Sequence, residues 1–98
     1  MAQDSKSATK VLAVLDTLMR NFFHGFSPME LATETGFSPS DITRYVNTLV
    51  SAGFAERIQE TSRIRPSVRF AQQAVQILNA MSNAEDKVKE LNQRINRK

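Results

Sequence analysis

Ser40, Thr43, Arg44 and Asn47 fall along one side of a helical stretch, with Ser38 just ahead of it. Their donors and acceptors suit base edges: Arg to guanine O6 and N7, Asn to adenine N6 and N7, and Ser or Thr to several partners. The bland reading is a solvated face carrying ordinary polar residues. A second group follows. Between Arg57 and Arg69 the chain holds Arg57, Arg63, Arg65 and Arg69 against Glu60 alone. Such a cluster suits phosphate or minor-groove contact, at Arg63 ahead of Arg57 and Arg69, or simply protects a strand edge with charge.

Other chemistries find little support. The chain has no cysteine, which removes disulfides, thiolate metal sites and cysteine nucleophiles. His24 is the single histidine, and a lone histidine without ligand-spaced partners is more often structural than metal-binding. No nucleophile elbow or glycine-rich phosphate cradle occurs, so neither an enzyme nor a cofactor is expected. Phe22, Phe23, Phe26 and Phe37 are expected in the core rather than on a stacking platform. No run approaches the roughly 18 apolar residues of a membrane span, and the first ten residues lack a signal-type apolar segment. A cytoplasmic protein that contacts no membrane is therefore expected. The net charge of +3 is compatible with nucleic acid without requiring it.

The elements that would position these residues can be read from spacing. Ser7 can cap a helix from Ala8 to about Arg20 or Phe23, with Val11, Leu12, Leu15, Leu18 and Met19 at helical intervals. Gly25 breaks the connection that follows. Ser27, Pro28 and Glu30 form a capping-box start, and Ser38, Pro39 and Asp41 repeat that logic. Ala32 is small where two helices would cross. Gly36 sits at the turn, where φ > 0 is expected. Ile42 seats the second helix on the first, with Tyr45, Val46 and Leu49 on the same face. This is a helix-turn-helix, whose second helix suits the DNA major groove.

Phe54–Gln59 reads as a strand, Glu60–Ser62 as a turn and Arg63–Phe70 as an alternating strand that Pro66 limits. Ile64, Pro66, Val68 and Phe70 would share its inner face. Two strands behind a helix-turn-helix make a β-wing, so the expected fold is mainly α with a small wing. Ile77, Met81, Ala84, Val88, Leu91 and Ile95 then follow at intervals of 4, 3, 4, 3 and 4. That stripe has the period of a coiled-coil seam. Residues 1–81 are expected to form the winged helix-turn-helix. Residues 82–98 are expected to form a helix that dimerises through Val88, Leu91 and Ile95, with folding back on its own chain as the other option.

The stretch from Ser7 to about Met81 resembles the N-terminal DNA-binding domain of IclR-type transcriptional regulators. SATKVLAVLDTL, MELATETGFSPSDITRYVNTLVSAGFAER and FAQQAVQIL carry the resemblance, including the pattern L-A-x-x-T-G-[apolar]…[apolar]-x-R…L-V-x-A-G-[apolar]. It implies a winged helix, dimeric binding of double-stranded DNA and transcriptional control. Those regulators carry a large C-terminal effector domain, whereas only Ala84–Lys98 remains here. No small-molecule effector is therefore expected, and the short form looks like a phage- or mobile-element-borne regulator. The wing tip lacks the glycine such wings often carry, which suggests a blunt wing.

The helix-turn-helix itself is not basic, since Glu30, Glu34 and Asp41 outweigh Arg44. That imbalance keeps a second class open: a winged helix that binds proteins and no DNA.

Overall fold

A computed structural model describes residues 3–96. The polar start Met1–Ser7 and the tail Ala84–Lys98 lie partly outside these residues, at 1–2 and 97–98. The first helix, α1, is Lys6–Leu18. Its cap is Ser5 rather than Ser7: the Ser5 hydroxyl accepts from the Ala8 amide at 3.2 Å. Nothing in Lys6–Ser7 opposes helix, so the turn begins earlier than expected. Val14, Leu15 and Leu18 are buried with Thr17, and Val11 packs beside them. Leu12 and Met19 are exposed, at 62% and 49%. They sit one residue, about 100°, round from that stripe, so the buried face is narrower than the run of apolar residues.

Helix α2 (Pro28–Thr35) starts with the full capping box of Ser27 and Glu30 and ends at Gly36, whose φ is 76°. Helix α3 (Pro39–Ser51) starts at Ser38, which accepts from the Asp41 amide at 3.2 Å. Ile42, Tyr45, Val46 and Leu49 are buried on it, as the spacing predicts, while Val50 is exposed. The core is therefore built from one face of each helix. Val14, Leu18, Leu31, Ile42, Val46 and Ile64 are its largest fully enclosed side chains. Each contributes about 1.5–3 kcal/mol by leaving water. Phe26 and Phe37 pack against this core as expected, but Phe23 is 81% exposed.

The wing is smaller than its sequence suggests. Strands β1 (Ala55–Arg57) and β2 (Ile64–Pro66) pair antiparallel, with Ala55 opposite Pro66, Glu56 opposite Arg65 and Arg57 opposite Ile64. Beyond Pro66 the alternation ends, because Ser67 caps a helix: its hydroxyl accepts from the Phe70 amide at 3.0 Å. Val68, Arg69 and Phe70 thus belong to helix α4 (Val68–Asn96) and not to a strand. At the tip, Ser62 takes φ 62° where a glycine is usual. Helix α4 runs unbroken through residues 81 and 82, and every residue from Gln72 to Asn96 is exposed.

One pairing has no counterpart in the expected elements. Phe26 forms an antiparallel bridge with Ile64, amide to carbonyl at 2.8 Å in both directions. The segment between α1 and α2 is therefore a third, one-residue strand. Gly25 precedes it with φ 67°, and a Cβ there would run into the Ile64 carbonyl. Gly36 has a similar φ but open space around it. Gly25→Ala should therefore cost more than about 2 kcal/mol, combining backbone strain with overpacking. Gly36→Ala should cost about 1 kcal/mol, from the left-handed backbone alone. Urea unfolding of the two variants checks the order; equal losses would mean the close approach at Gly25 is relieved at no cost.

Candidate nucleic-acid interface

Helix α3 turns Ser40, Thr43, Arg44 and Asn47 outward, and all four are exposed. Ser38 is partly committed to its cap, with its hydroxyl 3.2 Å from that of Ser40. Thr43 donates to the Pro39 carbonyl at 3.1 Å, which restrains its rotamer. Arg44 donates to Asp41 at 2.8 Å, and its guanidinium lies 5.4 Å from the centre of the Tyr45 ring. The bond to Arg44 holds the Asp41 carboxyl below its usual range, and Asp41 in turn holds Arg44 more firmly in its charged form. That guanidinium is thus braced by Asp41 and Tyr45 while its side chain stays exposed.

Asn47 meets the wing. Arg57 donates to its side-chain oxygen at 3.0 Å. A guanidinium has no acceptor, so the Asn47 atom facing Arg57 must be the carbonyl oxygen. Asn47, Arg57 and Arg44 therefore form one exposed surface shared by α3 and β1. A shallow cleft lined by Ser7, Val11, Arg44, Tyr45, Asn47 and Thr48 adjoins it.

Arg63 and Arg65 are placed differently. Arg63 donates to the His24 carbonyl and the Gly25 carbonyl, each at 3.0 Å, and pairs with Glu30. The same Glu30 oxygen accepts from the Ser27 amide in the capping box. Arg65 donates through Nε and Nη2 to one Glu56 oxygen, at 3.0 and 2.9 Å, and lies over the Phe22 ring. Arg63 thus ties the wing to the body, Arg65 ties the two wing strands together and lies against Phe22, and both side chains are mostly covered.

These ties bear on the acidic excess of the helix-turn-helix. Glu30 pairs with Arg63, Asp41 with Arg44, and Glu34 lies 3.7 Å from Arg20. Two of the three arginines come from outside the motif, so its local charge cannot be read from its own residues. Sequence reasoning also overlooked Glu30 and Glu56 as anchors. The capping-box spacing was the available signal for Glu30; none marked Glu56, whose partners depend on strand register.

A model of the IclR helix-turn-helix domain matches residues 7–59, more than half of the chain. This chain belongs to the IclR helix-turn-helix family. Its fold is also that of a solved structure, Pseudomonas aeruginosa HmgR. The TM-score is 0.68 and the identity 23%, over 80% of this chain and 33% of that one. The chain thus spans one third of the length of HmgR. No curated protein matches it. The IclR-type domain described here is a DNA-binding, transcription-regulator domain, and its winged fold agrees with the expectation from sequence. The family match ends at Gln59, so β2 and α4 lie beyond it. No helix among the described residues is long and apolar enough to cross a membrane.

The anchoring carboxylates predict an acid response. Glu30 is held below its usual range chiefly by the Ser27 amide and then by Arg63; Glu56 chiefly by the Val68 amide and then by Arg65. A carboxylate depressed in the folded state stabilises the fold in full above its unfolded pKa and ceases to do so as pH falls through the folded value. Urea midpoints should be flat from about pH 7 to 5 and fall below about pH 4. Glu30→Gln and Glu56→Gln should each lessen that fall. An unchanged acid slope in both would show that other groups drive it.

Proposed function

We propose that this IclR-type protein binds double-stranded DNA sequence-specifically, as a homodimer that regulates transcription in the cytoplasm. The observation that carries the reading is the continuous outward surface of Ser40, Thr43, Arg44, Asn47 and Arg57, drawn from α3 and β1 together. Helix α3 enters the major groove with its N-terminal half against base edges. Arg44 makes the main base contact, braced by Asp41 and Tyr45. Arg57 reaches phosphate beside it. Ser38 at the start of α3 lies close enough to join these contacts. Arg63 and Arg65 act mainly by holding the wing in place. The pairing of each acidic residue in the motif with an arginine weakens the alternative of a protein-binding module, which rested on that acidity. No catalytic role or small-molecule effector enters this reading.

Dimerisation is assigned to α4. Val88, Leu91 and Ile95 are exposed at 58%, 56% and 70%, on a stripe begun by Ile77 and Met81. A second copy is the natural cover for a seam with coiled-coil spacing. In this division of labour residues 1–81 read DNA and residues 82–98 hold the pair together.

Binding-site selection on random duplex is the direct test, with a two-fold symmetric consensus expected. Arg44→Ala should lose about 1–3 kcal/mol on the selected site and make one base position degenerate. Arg57→Ala should weaken all sequences alike and flatten the salt slope by roughly one unit, while Arg63→Ala should leave that slope unchanged. An unaltered consensus in Arg44→Ala would remove it from base reading.

Leu91→Glu would bury an unpaired carboxylate in the seam and should split the dimer. The winged domain should keep its unfolding midpoint, since none of its buried residues lies on α4. DNA affinity should drop sharply, because two linked half-sites gain from effective concentration. Sedimentation beside a binding titration checks this; a mutant dimer with intact affinity would place the interface elsewhere.

A further inference from the structure

We infer that Glu56 is a positioning residue that fixes the direction in which α4 leaves the winged domain, and so sets the spacing between two bound half-sites. The inference rests on the α4 dimer proposed above. Glu56 sits in the middle of β1 and uses both oxygens. One accepts from Nε and Nη2 of Arg65 across the strand pair. The other accepts from the amide of Val68, the first residue of α4, at 2.9 Å. A single carboxylate therefore joins both wing strands to the helix start.

Its neighbours secure the same junction. The Ser67 hydroxyl donates to the Gly53 carbonyl at 2.7 Å while capping α4 through the Phe70 amide. The Ser67 amide donates to the Phe54 carbonyl at 2.9 Å. Phe54 and Phe70 meet edge to face with centroids 5.7 Å apart. Past Ala71 every residue to Asn96 is exposed. The direction of α4 is thus decided within its first turn.

Leverage makes that turn consequential. A helix of 29 residues extends about 43 Å at 1.5 Å per residue. A tilt of about 10° at the base moves the far end by about 7 Å, roughly two base-pair steps. If two such helices pair along their far halves, the angle at Val68 sets how far apart the two α3 helices stand. The Ser67 cap keeps the helix attached without Glu56, but the carboxylate supplies the tie to the Arg65 strand.

The test uses the full chain and duplexes carrying inverted half-sites at a series of spacings, beside a duplex with one half-site. Wild type should favour one spacing by about tenfold over neighbours two base pairs away. Glu56→Ala should flatten that preference to about threefold or less, beyond any uniform loss that the single half-site also shows, with the sedimenting dimer unchanged. Glu56→Gln keeps an acceptor for the Val68 amide but loses the ion pair, and should fall between the two. Retention of the wild-type preference by a dimeric Glu56→Ala overturns the inference alone. So does an equal loss on single and paired half-sites, which would mark Glu56 as merely structural. A monomeric wild type overturns the α4 dimer and this inference together, whereas a dimeric wild type without spacing preference overturns this inference alone.

Discussion

Ile64 is held on both sides by backbone pairing and has no exposed surface. On one side it faces Arg57 of β1; on the other it exchanges both hydrogen bonds with Phe26, just before α2. The wing is therefore part of the core and not an appendage to it. A two-stranded ribbon of three residues a side would be marginal in water. Here the ribbon gains a buried side chain and a third strand position, and its orientation relative to α2 is fixed. Gly25 follows from the same constraint, since only a residue without Cβ fits against the Ile64 carbonyl.

That constraint sorts the wing arginines. Arg63 and Arg65 flank Ile64 and so share the face away from it, and both find carboxylates within the chain. Arg63 reaches back to the α2 cap, and Arg65 reaches across to Glu56. Arg57, opposite Ile64, instead faces α3 and meets Asn47. Three arginines with the same appearance in sequence thus have different work. For Arg63 and Arg65, phosphate contact would require giving up several hydrogen bonds. For Arg57 it would require giving up one, to a neutral amide, in an exposed position. The smaller cost favours Arg57 as the wing's outward cation.

Much of this fold was legible because local chemistry and global packing agree. Ser27–Glu30 and Ser38–Asp41 mark helix starts by caps that need only nearby residues, and Gly36 marks a turn by its backbone. The buried face of α3 followed from its period. What escaped were features decided by distant partners. The Phe26 bridge joins residues 38 positions apart in a segment with no strand pattern. The alternation through Phe70 is apolar enough for a strand, but the Ser67 cap turns its second half into helix. Leu12, Met19 and Phe23 were apolar but lie off the buried face. Of the candidate interface residues, those on α3 can be placed from helical phase; the contacts of Arg63 and Arg65 depend on Glu30 and Glu56, which no local signal joins to them.

Helix α4 brings a different physical problem from the rest of the chain. Isolated helices below about 15 residues are marginal in water, and even longer ones depend on burying an apolar face. α4 has the length but covers almost nothing within its own chain. Its apolar residues also change in breadth. Near the winged domain Val75, Ile77, Leu78 and Met81 spread over more than one side, whereas beyond Ser82 only the narrow row of Ala84, Val88, Leu91 and Ile95 remains. A narrow row at 3.5-residue period suits one partner helix, and a broader face suits a partner helix plus a neighbouring surface. The groove of Met19, Phe22, Pro66, Phe70, Ala71 and Ala74 lies beside that broader part. Exposed Met19, at the C-terminal cap of α1, then has a physical context, since it adjoins the root of the same helix. Several of the apolar side chains left outside the core thus collect where α4 emerges and continue along it.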